Sequence, residues 1–158
     1  MVIYIGADHR GFALKHSLIE LLKFNGYPVV DVGAEALVTD DDYVDYAMPV
    51  AERVSIDYEH NRGILICGSG VGMCVVANKY MNVRASLVST SDQAFDSRSD
   101  DNANVLCLGA NYMNVEQAKK VVLTWLQTPF SEDVRHKRRL EKIAQLEMKI
   151  TKPLNDEM

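Results

Sequence analysis

Several features that would take a chain out of a reducing, aqueous compartment are scarce here. The 158 residues hold three cysteines, Cys67, Cys74 and Cys107. They are an odd number, lie in apolar surroundings and form no C-x-x-C pair, so neither a disulfide framework nor a zinc site is indicated. No apolar stretch approaches the roughly 18 residues that a membrane span needs. The opening run Met1 to Ile5 reads directly as a strand with no basic leader, and a soluble, cytoplasmic protein is expected. Positive charge is scarce too: 17 Lys and Arg against 22 Asp and Glu leave a formal charge of -5. The one basic cluster, Arg135-His-Lys-Arg-Arg139, is too short to reverse that balance, which argues against a nucleic-acid partner. There is no internal repeat, no low-complexity segment and no dividing linker. A chain of this length suits one domain with one sizeable core.

What is present is an alternation of short apolar runs and helical spacing. Val2 to Gly6, Pro28 to Val32, Gly63 to Cys67, Arg84 to Val88 and Asn104 to Leu108 read as strands, and the intervening segments carry apolar residues at three-and-four spacing. That order predicts an α/β fold with a five-stranded, mainly parallel sheet. Gly11 to Phe24 is a covering helix stopped by Asn25-Gly26, and Val115 to Leu126 repeats its pattern. A last helix begins near Ser131 with a stripe of Val134, Leu140, Ile143, Ala144, Leu146 and Ile150, opposite a charged edge. Such a stripe packs against a core or a partner chain. The expected organisation is one domain over residues 1–150, its last helix (about 131–150) against a partner, and a frayed tail at 151–158.

Cys67 ends the run Gly63-Ile-Leu-Ile-Cys67 and is followed at once by Gly68-Ser-Gly-Val-Gly72. One thiol therefore stands where a buried strand hands over to a helix. Three glycines let backbone amides converge on an oxyanion, and unpaired amides favour thiolate over thiol. The bland alternative is a buried structural cysteine. Ligands of open α/β sheets bind beyond the carboxyl ends of the strands, and two more polar loops meet that rule, Gly6-Ala-Asp-His-Arg-Gly11 and Gly109-Ala-Asn111. Asp8 and His9 can orient hydroxyls or an anion there, although a capping role suits Asp8 as well. The glycine loop is not a P-loop, since no Gly-Lys-Ser/Thr follows. It is not a dinucleotide fingerprint either, because Leu87-Val88-Ser89-Thr90 stands where a ribose-binding acid is wanted.

Taken together, Gly6-Ala-Asp-His-x-Gly-Phe-x-Leu-Lys15, Gly63-Ile-Leu-Ile-Cys-Gly-Ser-Gly-Val-Gly72, Ala77-Asn-Lys79 and Asn104-Val-Leu106 resemble the ribose-5-phosphate isomerase B and galactose-6-phosphate isomerase family. The blocks keep their order and spacing over almost the whole chain. The resemblance implies a Rossmann-like three-layer α/β/α sandwich, a homodimer or dimer of dimers with shared active sites, and no metal or organic cofactor. It implies that Cys67 moves a proton between C2 and C1 of an open-chain sugar phosphate through a cis-enediolate. Ser69 assists transfer between the oxygens, and the Gly68, Gly70, Val71 and Gly72 loop stabilises the enediolate. Asp8, His9 and Tyr43 match substrate contacts, with His9 also reaching the phosphate. Arg135 and Arg139 match a pair that grips the phosphate from the neighbouring subunit, a task suited to guanidinium geometry.

The chain departs from that pattern in three places. Ribose-specific members carry a ring-opening histidine and then an asparagine where this chain has Asp100 and Asp101. An arginine common near the phosphate is Asn111 here. Asp100 is carried forward as the catalytic candidate, and Asp101 and Asn111 as substrate contacts. An ordinary aspartate, with a pKa of about 3.9, has no proton to give at neutral pH. Three functions follow as expectations. One is a homo-oligomeric isomerase of the ribose-5-phosphate isomerase B type, whose sugar (tetrose, pentose or hexose) is left open. Another is the cysteine-bearing subunit of a galactose-6-phosphate isomerase completed by a paralogous chain. The last is a sugar-phosphate binding module without turnover.

Overall fold

Runs of isoleucine, valine and leucine line up as neighbours in one sheet. In the computed structural model, which describes residues 1–151, β1 (Val2–Ala7), β2 (Val29–Asp31), β3 (Asn61–Cys67), β4 (Ala85–Leu87) and β5 (Val105–Gly109) adopt the order β2-β1-β3-β5-β4. Every pairing is parallel. The helices are α1 (Phe12–Phe24), α2 (Tyr43–Ile56), α3 (Val71–Ala77), α4 (Ser91–Ser99), α5 (Val115–Gln127) and α6 (Val134–Ile150). None among the described residues is long and apolar enough to cross a membrane.

The period of two in a strand sends neighbouring side chains to opposite faces, and the core divides accordingly. Ile3, Ile5, Ile64, Ile66, Leu106 and Leu108 pack on one face under α1, α4 and α5, through Leu14, Leu18, Leu22, Ala94, Val121, Val122 and Trp125. Leu65, Cys67, Val105 and Cys107 pack on the other under α2 and α3, through Ala47, Val50, Ala51, Val54, Met73 and Ala77. The result is the three-layer α/β/α sandwich expected, and it turns the Cys67 side chain toward α2 and α3.

The chain runs from β1 outward to β2 on one side and then crosses back through α2 to β3 on the other, so the strand order reverses beside β1. Such a switch point opens a crevice beyond the strand carboxyl ends, between the segment after Ala7 and the segment after Cys67. The crossing is close. A Cβ on Gly11 would lie 2.4 Å from the Ile66 carbonyl oxygen, so only glycine lets the start of α1 meet β3 there. Below it, Lys15 is fully buried. Its ammonium donates to Asp31 and to the Ala34 carbonyl at 2.7 Å, tying α1 to the loop after β2.

The last helix starts at Val134 rather than Ser131. Asp133 caps it by accepting from the Arg135 N–H at 2.8 Å, while the Ser131 N–H donates to the Ser99 carbonyl. It buries only His136 fully, and most of its expected stripe is exposed: Val134, Ile143, Leu146 and Ile150 all face outward. The stripe does not feed this chain's own core. Thr151 caps the helix end, and the rest of the tail expected to fray, 152–158, lies outside the described residues.

Candidate active site

The glycine loop wraps around the thiol. Cys67 is buried, and its Sγ accepts a hydrogen bond from the Gly70 N–H at 3.1 Å. Gly70 has φ of 77°, the left-handed conformation that glycine adopts without strain, and this turns its amide back onto the sulfur. The Val71 N–H similarly donates to the Ser69 Oγ at 3.2 Å. The donated amide fixes the sulfur under the loop, facing the space beyond the end of β3. The loop is braced from β5: the Ala110 and Asn111 N–H groups donate to the Cys67 and Gly68 carbonyls at 2.9 and 3.0 Å.

Three side chains close over this loop. The Tyr43 ring, at the start of α2, lies against Gly72, whose added Cβ would be 2.7 Å from the ring. Asn111 and Arg10 lie against Gly68, where an added Cβ would be 3.1 Å from the Asn111 Nδ2 and 2.7 Å from the Arg10 Cδ. Asp8 folds the loop ahead of α1 and does not cap the helix, whose N-cap is Gly11 without a side-chain bond: its Oδ1 accepts from the Arg10 and Gly11 N–H groups at 3.0 and 3.1 Å.

His9 has a partner from the loop before α2. The Asp41 Oδ1 accepts from the His9 N–H at 3.0 Å and lies 2.6 Å from its Nδ1. Burial pushes the Asp41 carboxyl up, but the hydrogen bonds and charge of His9 outweigh this and hold it below the ordinary carboxylate value. The neighbouring Tyr46 hydroxyl is shifted upward by desolvation first and then by the Asp41 carboxylate. The ligand atoms of Asp8, His9 and Asp41 fall within 4.8 Å of one another. The Nδ1 is already taken by Asp41 and the Asp8 Oδ1 by two amides, so Asp41 braces His9 while Asp8 holds the loop backbone, and those atoms are committed to hydrogen bonds.

The remaining expected site residues lie at the other end of the sheet. Asp100 caps the carboxyl end of α4, and the chain turns there into β5. Arg98 fixes this turn by donating to the Asn102 Oδ1 and the Ala103 carbonyl; burial first, then the Arg62 and Arg84 charges, lower its pKa to about 10. The buried His136 stands behind Asp100, with its Nδ1 2.8 Å from the Ser131 Oγ and 3.7 Å from the Asp100 Oδ1. Arg135 donates from Nε to the His136 Nε2 at 3.2 Å, which assigns the ring proton to Nδ1. Asp101 and Arg139 are exposed beside this group.

One chain thus brings together Asp8, His9, Tyr43, Cys67, Ser69, Gly68, Gly70, Val71, Gly72 and Asn111, and separately Asp100, Asp101, Arg135 and Arg139. The full length of β5, about 16 Å at ~3.3 Å per residue, stands between the two groups. Arg10, Asp41 and His136 were not singled out by the sequence. Arg10 lies inside the Gly6–Gly11 loop and His136 inside the basic cluster, but neither was assigned a role there, and only tertiary placement shows what each of the three touches.

A model of the family described as Ribose/Galactose Isomerase matches residues 3–143. The chain is 39% identical over 147 residues to the ribose-5-phosphate isomerase B of Escherichia coli, covering 93% of this chain and 97% of that one. It superposes with a TM-score of 0.90 on ribose-5-phosphate isomerase B of Mycoplasma genitalium with bound ribulose-5-phosphate, at 41% identity over 92% of this chain and 95% of that one. A second ribose-5-phosphate isomerase B, from Clostridium thermocellum, also gives 0.90, at 38% identity over 96% and 100% of the two chains. With its sheet order, its cysteine–glycine loop and these matches in agreement, the chain belongs to the ribose/galactose isomerase family.

Proposed function

We propose that the protein is an aldose–ketose isomerase of a phosphorylated sugar, of the ribose-5-phosphate isomerase B type, working in the cytoplasm. The observation that carries this reading is the Cys67 Sγ, held at the end of β3 by the Gly70 amide inside a glycine loop. The Cys67 thiolate removes the proton from C2 of the open-chain aldose, and the electron pair moves into a cis-enediolate. The thiol returns the proton to C1, giving the ketose. The hydroxyl proton passes between O2 and O1 with help from Ser69, so nothing is oxidised or reduced overall. Loop amides and Asn111 meet charge that develops only in the enediolate. The relatives named above are ribose-5-phosphate isomerases B, which favours a self-sufficient isomerase over a subunit that needs a paralogue. The intact Cys67–Gly70 contact favours turnover over silent binding.

The working unit in this proposal is a homodimer, or a pair of dimers, with shared sites. A two-fold axis makes each contact reciprocal, so the cysteine end of one chain can meet the Asp100 and Arg135 end of its partner, and the reverse. Charge complements this arrangement. The cysteine end carries Asp8, Asp40, Asp41, Asp42 and Asp45, and the other edge carries Arg62, Arg84, Arg98, Arg135 and Arg139. The outward apolar residues of α6 supply a surface for a second copy to cover.

The test is proton NMR of the purified chain alone in D2O with ribose 5-phosphate and, separately, erythrose 4-phosphate. Deuterium at the carbon beside the carbonyl, lost in Cys67→Ala, is the expected result. Exchange with the tetrose phosphate alone would place the preference on a sugar that forms no furanose. Exchange with neither would overturn the reading.

A further inference from the structure

We propose that Arg10 is an anion-binding residue of this site, its guanidinium reaching across Gly68 beside Asn111 to take the substrate's phosphate. The inference rests on the sugar-phosphate reading above and adds a residue to it.

The placement is built from both ends of the side chain. At the backbone, the Asp8 Oδ1 accepts the Arg10 N–H at 3.0 Å, fixing the direction in which the residue leaves the loop. Further out, the stem lies on the glycine that follows Cys67. An added Cβ on Gly68 would be 2.7 Å from the Arg10 Cδ, 3.4 Å from its Nη1 and 3.1 Å from the Asn111 Nδ2. A residue of any bulk at position 68 would push the arginine off. Its absence lets the stem pack while the head stays in solvent, as long cationic side chains do.

The charge around it supplies the second line of argument. The cysteine end is rich in aspartate, a poor reception for a dianion. Its other cations are committed: the Lys15 ammonium is buried on Asp31, and His9 is held by Asp41. Among the described residues Arg10 forms no salt bridge. The nearby carboxylates have other work, Asp8 on two amides and Asp41 on the imidazole. An uncommitted guanidinium over the catalytic loop therefore offers its forked donors to phosphate oxygens, the geometry that arginine matches best.

The test uses the full chain and inorganic phosphate as probe, read by titration calorimetry, with isomerase kinetics in parallel. Arg10→Ala should weaken phosphate binding about tenfold, as loss of one charged hydrogen bond does, and raise KM in step while kcat changes little. Adding Asn111→Arg to Arg10→Ala should restore both, because position 111 reaches the same space above Gly68. Unchanged phosphate affinity in Arg10→Ala would overturn the proposal, as would a fall in kcat with KM and phosphate affinity intact, which would assign Arg10 to the enediolate. Calorimetry needs no turnover. Phosphate binding that depends on Arg10 without deuterium exchange would sink the isomerase reading alone, and exchange with phosphate binding indifferent to Arg10 would sink this one alone.

Discussion

Asp41 holds His9 through a single carboxylate oxygen, Oδ1, which accepts both the backbone N–H at 3.0 Å and the ring Nδ1 proton at 2.6 Å. With Nδ1 committed as donor, Nε2 is the nitrogen left to meet the substrate. Asp41→Ala should release the ring. Long-range 1H–15N spectra are expected to show His9 moving from the Nδ1–H tautomer toward Nε2–H, with KM rising severalfold. Asp41→Asn, which keeps an acceptor, should fall between. An unchanged His9 spectrum in Asp41→Ala would remove this positioning role.

The same contact makes stability depend on acid. Because the Asp41 carboxyl is held below its ordinary value, its ionised form is favoured by folding. That contribution is full above the unfolded value, about pH 4, and fades as pH falls through the lower folded value. In urea unfolding, the stability gap between the protein and Asp41→Asn should therefore narrow as pH is taken down toward about 3. A gap that stays constant would show that the carboxylate is not the source.

Cys74 and Cys107 face each other across α3 and β5 with opposite consequences. A hydrogen bond from Cys107 lowers the Cys74 thiol to about 7, against the upward push of its burial, whereas burial drives Cys107 well up. In a Cys67→Ala background, alkylation of Cys74 by iodoacetamide should rise with an apparent pKa near 7, while Cys107 stays unmodified until the chain unfolds. Equal labelling of both in the native state would contradict this arrangement.

A site shared between copies can be tested by complementation. In the proposed assembly Cys67→Ala removes the base from one half-site, and Arg135→Ala/Arg139→Ala removes the cations from the other. Each variant alone should be nearly inactive. A refolded equal mixture should recover about a quarter of normal activity, since half of the random dimers carry one intact site of two. No recovery would mean that each site is completed within one chain.

The family resemblance implies a ring-opening histidine at the position of Asp100. Restoring it with Asp100→His should raise kcat/KM for cyclic ribose 5-phosphate by about tenfold or more, within the range for a positioned acid–base group. Turnover of erythrose 4-phosphate, which forms no furanose, should hardly change. An equal effect on both substrates would dissociate residue 100 from ring opening.

Much of this molecule was legible in its sequence because the signal was local. The five strands announced themselves as apolar runs bounded by glycine and polar residues, α1 and α5 as apolar stripes, and the Cys67 loop as a strand meeting three glycines. The stretch around Tyr43 was harder to read. It opens α2, but Pro49 lies inside that helix and interrupts the expected pattern. The polar α4 shows almost no amphipathic contrast, since its packing rests on Ala94 and on the buried polar Ser97 and Arg98. Arg10 and His136 lie in segments the sequence did single out, yet nothing local marked these two residues or Asp41 for their contacts. Arg10 matters through Gly68, fifty-eight positions away, Asp41 through His9 and His136 through Asp100. Such pairings come from the closing of the sheet rather than from any periodicity along the chain.

The strand that separates Cys67 from Arg135 has a kinetic meaning as well. In the proposed assembly a newly made chain is inert until it meets a second copy, because its cysteine end lacks Arg135 and Arg139 and its opposite end lacks the base. With Arg135 and Arg139 supplied only by the second copy, specific activity becomes a function of concentration, falling steeply once dilution passes the dissociation constant of the dimer. Cellular output then responds more than linearly to synthesis at low abundance, and a surface change on α6, far from any reacting atom, is able to silence the enzyme by keeping two halves apart.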